Sequence, residues 1–416
     1  MAALLGLTNQ ANFSFPFDHG QASQWPSASW LRQQSTDLAK WQKFFRARGE
    51  NSVAAKGGVT TLTFPITPEP QTPAADVLFA LGKFATNLAA LGAARQRPVM
   101  RLPLDYGKGF FLEEDLTRPL QSLWSAVHLL SLRASAELAQ GQGEAALQDV
   151  ALALRLTTVV KESAFVVNRS AVGYEQWHRW GMMQVCLQPI WEGLTSHRWD
   201  DQQLAALQKE LAALDLLADY RLAVRGETLK MMCLFDQIQA FCEGQPSELS
   251  KQQPTDFNDR FWTWVARTFY PVGWLYQDKV WVYRFYQRHA DPLDAAALRN
   301  PAGDELAAER RTMTDPIAAV IVQRRLREIF GEISTGALML QTFLQQAGTA
   351  CALERFHAAQ GQYPATLEAL GPKYLQPVAD DIFAGPGEKL KYVRTPVGGF
   401  KLYAIGLTDW LQPGQN

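Results

Sequence analysis

The sequence predicts a mainly α-helical body, arranged as an array of helical hairpins, with a small α+β lobe at the C-terminus. Three observations carry that expectation. From residue 74 onward, apolar residues recur at helical spacing through several long blocks. Two of these blocks are joined by Gly141-Gln-Gly143, a link too short for anything but antiparallel packing. After Gly361 the pattern changes to short β-like runs on either side of Gly398-Gly399.

At 416 residues the chain has room for two or three domains of about 150 residues each. Hydrophobic residues make up 47% and charged residues 19%, a composition that supports a substantial core. With 40 Lys+Arg against 41 Asp+Glu the net charge is −1, which argues against a dedicated nucleic-acid binder. The four cysteines, Cys186, Cys233, Cys242 and Cys351, show no metal-ligand spacing and read as buried free thiols. A Cys233–Cys242 bridge stays open.

Residues 1–73 read as an irregular segment. Within it, Ser35–Arg48 forms a short helix with Trp41, Phe44 and Phe45 on one side, and VTTLTFPI forms one strand. TPEPQTP (67–73) reads as a linker. Residues 74–300 are the helical body. Ala74–Arg95 carries Val77, Leu78, Leu81, Phe84, Leu88 and Leu91 at helical spacing, and Leu116–Gln140 and Glu144–Lys161 form the hairpin. That hairpin is TPR-like at most in part, because no 34-residue period recurs. The following helix is expected to stop at Pro189. The next begins at Asp200 or Asp201 as N-cap, with a stripe of Leu204, Leu207, Leu211 and Leu214. A further block follows with Leu222, Leu229, Met232 and Leu234.

Eleven of the 26 residues from Phe261 to Tyr286 are aromatic, against 11% for the chain. Pro271 and Gly273 divide this stretch into two helices meeting at a corner, read as a packing centre with Trp274 mostly buried. Residues 301–416 are a long helix plus the lobe. The uncharged run Ile333–Leu353 is long enough to span a bilayer, but its glutamines and hydroxyls make it a buried helix. The start of the chain has no signal-peptide pattern.

The C-terminal order is a long helix, Gly361-Gln-Tyr363-Pro364, Tyr374-Leu375, Asp381-Ile-Phe383, Leu390-Lys-Tyr392 and Gly399-Phe400-Lys-Leu402-Tyr403-Ala-Ile-Gly406. This segment resembles the C-terminal part of the major pseudopilins of type II secretion. Tyr363, Phe383, Tyr392 and Tyr403 would supply a small core between helix and hairpin. Taken with RLPLDYGKGF, GWLYQD and Asn300-Pro301, residues 95–410 are more similar to a group of large, uncharacterised bacterial envelope proteins that end in the same element. Ile382 departs from the usual proline of the Asp-Pro-Phe loop. The long apolar N-terminal helix of a pilin is missing. Of the pseudopilins' calcium site, only Asp380, Asp381 and Asp409 remain as oxygen donors, and the ligand-rich loop is absent. The resemblance implies the cell envelope or periplasm, with membrane association through a segment not present in this chain.

No HExxH, GxSxG, Walker loop or GxGxxG appears, so no catalytic, cofactor-binding or metal-ligating residue is assigned and no cofactor is expected. The six histidines are scattered and read as structural. Candidate ligand or partner contacts are few. Glu113 and Glu114, beside Phe110-Phe111, double as a first-turn acidic cluster, and Asp105 sits in RLPLDYG as a turn residue. Trp177 and Trp180 share one helix face with Arg179 beside them, where sugar stacking, cation–π contact and core burial are all open readings. Trp274 marks the aromatic corner. The expected role is a non-catalytic binding or scaffold protein that uses a helical surface to hold a protein partner. Two rival readings stand beside it: a carbohydrate-active or other hydrolytic enzyme with an aromatic and acidic cleft, and an accessory component of a pilus-like or secretion assembly.

Overall fold

The computed structural model describes residues 28–49, 63–94, 97, 117–164, 173–246, 272–292, 316–375, 377–384, 387–396 and 398–405. Ten α-helices fall within them: α1 (Leu38–Ala47), α2 (Pro73–Leu81), α3 (Ala85–Ala94), α4 (Thr117–Ala139), α5 (Gly143–Ala164), α6 (Gly173–Thr195), α7 (Asp201–Ala212), α8 (Leu216–Cys242), α9 (Val272–Arg288) and α10 (Pro316–Gln360). Two antiparallel strands, β1 (Lys391–Arg394) and β2 (Phe400–Tyr403), complete a mainly α protein with a small α+β C-terminal lobe.

The helical hairpin forms as its spacing predicts. At the end of α4, Gly141 takes a left-handed φ of 74°, and Gln142 N–H reaches back 2.8 Å to the Glu137 carbonyl, closing the helix before α5 starts. On α7, Asp200 caps the N-terminus in a reciprocal capping box with Gln203, and Leu204, Leu207 and Leu211 bury its stripe. Helices α4 to α8, the buried face of α9 and the stretch Ile333–Cys351 of α10 share one core. Trp41, Phe45 and Phe64 join that same core, so the N-terminal helix packs as part of the body.

Several expectations need correction. Residues 67–73 are not a loose linker. Thr67 Oγ1 donates to Asp76 Oδ1 at 2.9 Å, Arg46 pairs with Asp76 Oδ2 at 3.1 Å, and Thr72 caps α2 with Pro73 at its first position. The Asp76 carboxyl sits below its usual value: burial alone would raise it, but bonds from Gln42, Thr67, Gln71 and Arg46 outweigh burial. Of the predicted strand, only 63–66 are described, and there Phe64 makes a single bridge to Gly49. Pro189 does not stop α6, which continues to Thr195. A proline leaves the carbonyl four residues earlier without its helical donor. Here that carbonyl is Val185, and Ser131 Oγ of α4 donates to it at 3.0 Å.

Helix α10 links the two parts of the molecule. Its segment Ile333–Leu353 is buried in protein, as its glutamines and hydroxyls predict. Thr335 and Thr342 turn their hydroxyls back onto the helix carbonyls. The helix runs unbroken through Gly336, where the ring of Trp180 would lie 2.5 Å from any Cβ. The glycine there is a close-approach position, not a kink. From Ala352 onward the same helix buries a second core with Tyr363, Leu367, Leu370 and Leu390. Pairing Lys391 with Tyr403 and Tyr392 with Leu402 turns Phe400 and Leu402 inward. Tyr403 therefore faces solvent at 42% exposure and does not join the lobe core, against expectation.

Pro73–Ala94 is long and apolar enough to cross a membrane by length and composition, with mean hydropathy 1.5. In the fold its Val77, Leu81, Leu88 and Leu91 pack into the body core.

Candidate binding cleft between body and lobe

Where α6, α10 and the lobe meet, they enclose a half-open cleft of about 510 Å³, a volume ordinary for a small-molecule site. Its walls are apolar. Leu187, Ile190 and Trp191 come from α6, Phe343 from α10, Phe400 from β2, and Trp30 from the 3₁₀ turn Ser29–Arg32. That turn is held by α6: Trp30 N–H donates to Gln188 Oε1 at 2.7 Å, and Trp30 Nε1 to the Gln184 carbonyl at 2.9 Å. Gln188 is fully buried and its amide donates on to the Gln34 carbonyl and to Glu192. The indole of Trp30 then meets Phe343 edge-on at 5.0 Å.

One end of the cleft is polar. Glu354 of α10, 9% exposed at its side chain, takes a hydrogen bond from Tyr363 Oη at 2.6 Å and contacts His197 Nδ1 at 2.8 Å. His197 follows α6 as its left-handed terminating residue, with φ 50°, and the next residue, Arg198, donates back to the Gly193 carbonyl at 2.8 Å. Glycine is the default at such a position. The histidine there turns its ring toward α10, across a sequence separation of 157 residues. His357 stacks on Tyr363 with ring centroids 4.4 Å apart, and the two histidine rings stack at 5.9 Å. Burial, followed by the bond to Glu354, raises the Tyr363 phenol above its usual range, so it remains a donor. With the Glu354 carboxylate as acceptor, His197 Nδ1 is the donor of this bond. One carboxylate thus ties together the end of α6, the length of α10 and the lobe.

Two further buried charge centres lie in the body. Arg179 of α6, 1% exposed, donates from Nη2 to Asp219 of α8 at 2.7 Å. Arg133 of α4 grips Asp149 of α5 with two bonds, at 2.5 and 2.8 Å, and also pairs with Glu137 at 3.2 Å. Burial pushes the carboxyls of both Glu137 and Asp149 up, and the neighbouring Asp149 charge adds to the effect on Glu137.

The sequence candidates do not converge here. Asp105, Glu113 and Glu114 lie outside the described residues, as does the side chain of Trp177. Trp180 is buried on Gly336, so of its open readings core burial is the one that holds. Trp274 overturns its expectation: it is 39% exposed, on a helix whose Leu275, Val282, Phe285 and Tyr286 form the buried side. Tyr276, Val280 and Tyr283 lie on the outer face of α9, each close to half exposed. On α8, Leu222 and Leu229 are exposed as well, Leu229 at 69%. No disulfide joins Cys233 and Cys242, and against the expectation of buried thiols only Cys186 and Cys351 are buried, Cys233 being exposed and Cys242 half-buried. Of the loop acids, Asp381 spends its carboxylate on the Phe383 and Ala384 amides and Asp380 pairs with Lys389, while Asp409 lies outside the described residues.

His197, Glu354 and Tyr363 were missed as a group. Each looked ordinary alone, and only a histidine at the end of a helix, where glycine is usual, gave a signal. In comparisons with known proteins, no family model, curated protein or solved structure matches this chain.

Proposed function

We propose that the protein is a non-catalytic binding or scaffold protein of the bacterial envelope that holds a protein partner on its helical surface. The observation that carries this reading is the outer face of α9. Tyr276, Val280 and Tyr283 recur there at i, i+4 and i+7 with exposures of 51%, 49% and 48%, and Trp274 stands exposed on the same helix. Fully burying such a side chain is worth about 1.5–3 kcal/mol relative to leaving it in water. Aromatic residues grouped on one helix face are the chemistry of a partner's anchor points. The envelope assignment rests on the resemblance of the C-terminal helix-and-hairpin lobe.

A photo-crosslinking amino acid at position 283, in cells expressing the full chain, tests the reading. The expected result is one reproducible crosslinked protein in the envelope fraction that disappears when Tyr276→Ser and Val280→Ser are added. Crosslinks that persist in the double variant, or none beyond those of a control site at Glu210, would sink it.

A further inference from the structure

The body–lobe cleft is distinct from the aromatic face of α9, and we infer that it is a binding site for a small amphiphile with an apolar body and a hydrogen-bond-donating head, neutral or cationic, that excludes anionic heads. The apolar body follows from the walls. Leu187 and Ile190 are buried at its floor, and the rings of Trp30, Trp191, Phe343 and Phe400 surround a volume of about 510 Å³. The head follows from the polar end. Each Glu354 oxygen already accepts one bond and keeps lone-pair capacity for another. The His197 side chain beside it is 60% exposed, within reach of an entering ligand.

The charge at that end is one-sided. Among the described residues no lysine or arginine lines the cleft. Arg355, next in sequence to Glu354, is turned away onto Asp201 and Gln208. A carboxylate or phosphate head would therefore face Glu354 in a partly desolvated site with no lysine or arginine lining it to offset the repulsion, whereas a hydroxyl, amide or ammonium would find the Glu354 oxygens as acceptors.

Calorimetric titration of the full chain with decylamine, 1-decanol and decanoate, below their micelle concentrations and at about pH 8, tests this. Decylamine and decanol are expected to bind with one-to-one stoichiometry, and decanoate at least about tenfold more weakly. Glu354→Gln, which removes the charge, is expected to bring decanoate within about threefold of decanol. Ala347→Trp, which fills the cleft beside Phe343, is expected to abolish binding of all three, with an unchanged helical circular dichroism spectrum. Should that variant misfold, the selectivity change in Glu354→Gln still decides. Wild-type protein that binds none of the three, or binds decanoate as tightly as decanol, overturns the proposal.

Discussion

The α4–α5 hairpin and the seam between body and lobe each bury carboxylates, and they satisfy them in opposite ways. In the hairpin, Glu137 and Asp149 crowd a single arginine, Arg133, and burial raises both. At the seam, Glu354 stands with a separate hydrogen-bond partner at each oxygen, Tyr363 and His197. The hairpin centre is made by residues 16 positions apart or fewer, so it forms with the hairpin itself. The seam centre exists only when α6, α10 and the lobe have all docked. A local carboxyl pair of this kind acts through its protonation state, while a long-range one acts as a clamp and leaves acceptors facing a cleft.

If that contrast holds, damage in the body should propagate and damage at the seam should stay local. Arg179→Ala gives the largest expected effect. Its guanidinium and Asp219 are both buried, and breaking a buried pair by removing one partner costs about 3–5 kcal/mol. Chemical denaturation should show a lower midpoint for the whole helical signal. A loss below about 1 kcal/mol would mean that Asp219 finds other partners and that the body is not rigid there.

Gly336→Ala comes next. Its Cβ would lie 2.5 Å from the Trp180 ring, in the part of α10 that is packed in the body core. Overpacking of this kind costs about 1–3 kcal/mol, and thermal unfolding should fall by several degrees. The same substitution at Gly348, where nothing lies within 4 Å of an added Cβ, should leave stability unchanged or slightly raised. Equal effects at the two glycines would remove close packing as the reason.

Tyr363→Phe tests the seam. The phenol donates to Glu354 at 2.6 Å, and hydrogen bonds to charged groups are worth about 1.5–3 kcal/mol. Ring packing against Phe400 and His357 is retained. Hydrogen exchange should quicken in β1 and β2, with α4 and α5 unaltered. Faster exchange throughout the body would show that the lobe is not a separate cooperative unit.

These differences also explain how much the sequence disclosed. The hairpin, the Asp200 cap, the β1–β2 hairpin and the buried character of Ile333–Leu353 are written in short-range patterns: a Gly-x-Gly turn, a capping residue, alternation, polar residues inside an apolar run. Pro189 misled because the donor that rescues the Val185 carbonyl, Ser131, belongs to another helix. Trp274 misled because composition reports how much aromatic surface there is, not which side of α9 carries it. Tyr403 misled because the facing of a strand follows from its register. Nothing in the spacing of His197, Glu354 and Tyr363 brings them together, since the first two meet only through the packing of α6 on α10.

The smallest effect at neutral pH, and the sharpest on the hairpin side, is the titration of Glu137. Its folded-state carboxyl is raised above the unfolded value of about 4.3, by burial first and by the Asp149 charge second. Between the unfolded and folded values, the folded state holds the proton more tightly than the unfolded chain does. The stabilisation it provides is then complete in acid and declines as pH rises through the folded value. Asp149, raised in the same sense, adds to the slope. Glu137→Gln removes the ionisation but keeps an amide against Arg133 and Asp149, so its melting temperature should fall less steeply with pH. Wild type and variant should agree most closely in acid, below about pH 4, with the variant gaining about 2–4 °C by about pH 9. Parallel curves would show that the folded state does not hold the Glu137 proton more tightly than the unfolded chain, and that the hairpin and the seam differ in geometry alone.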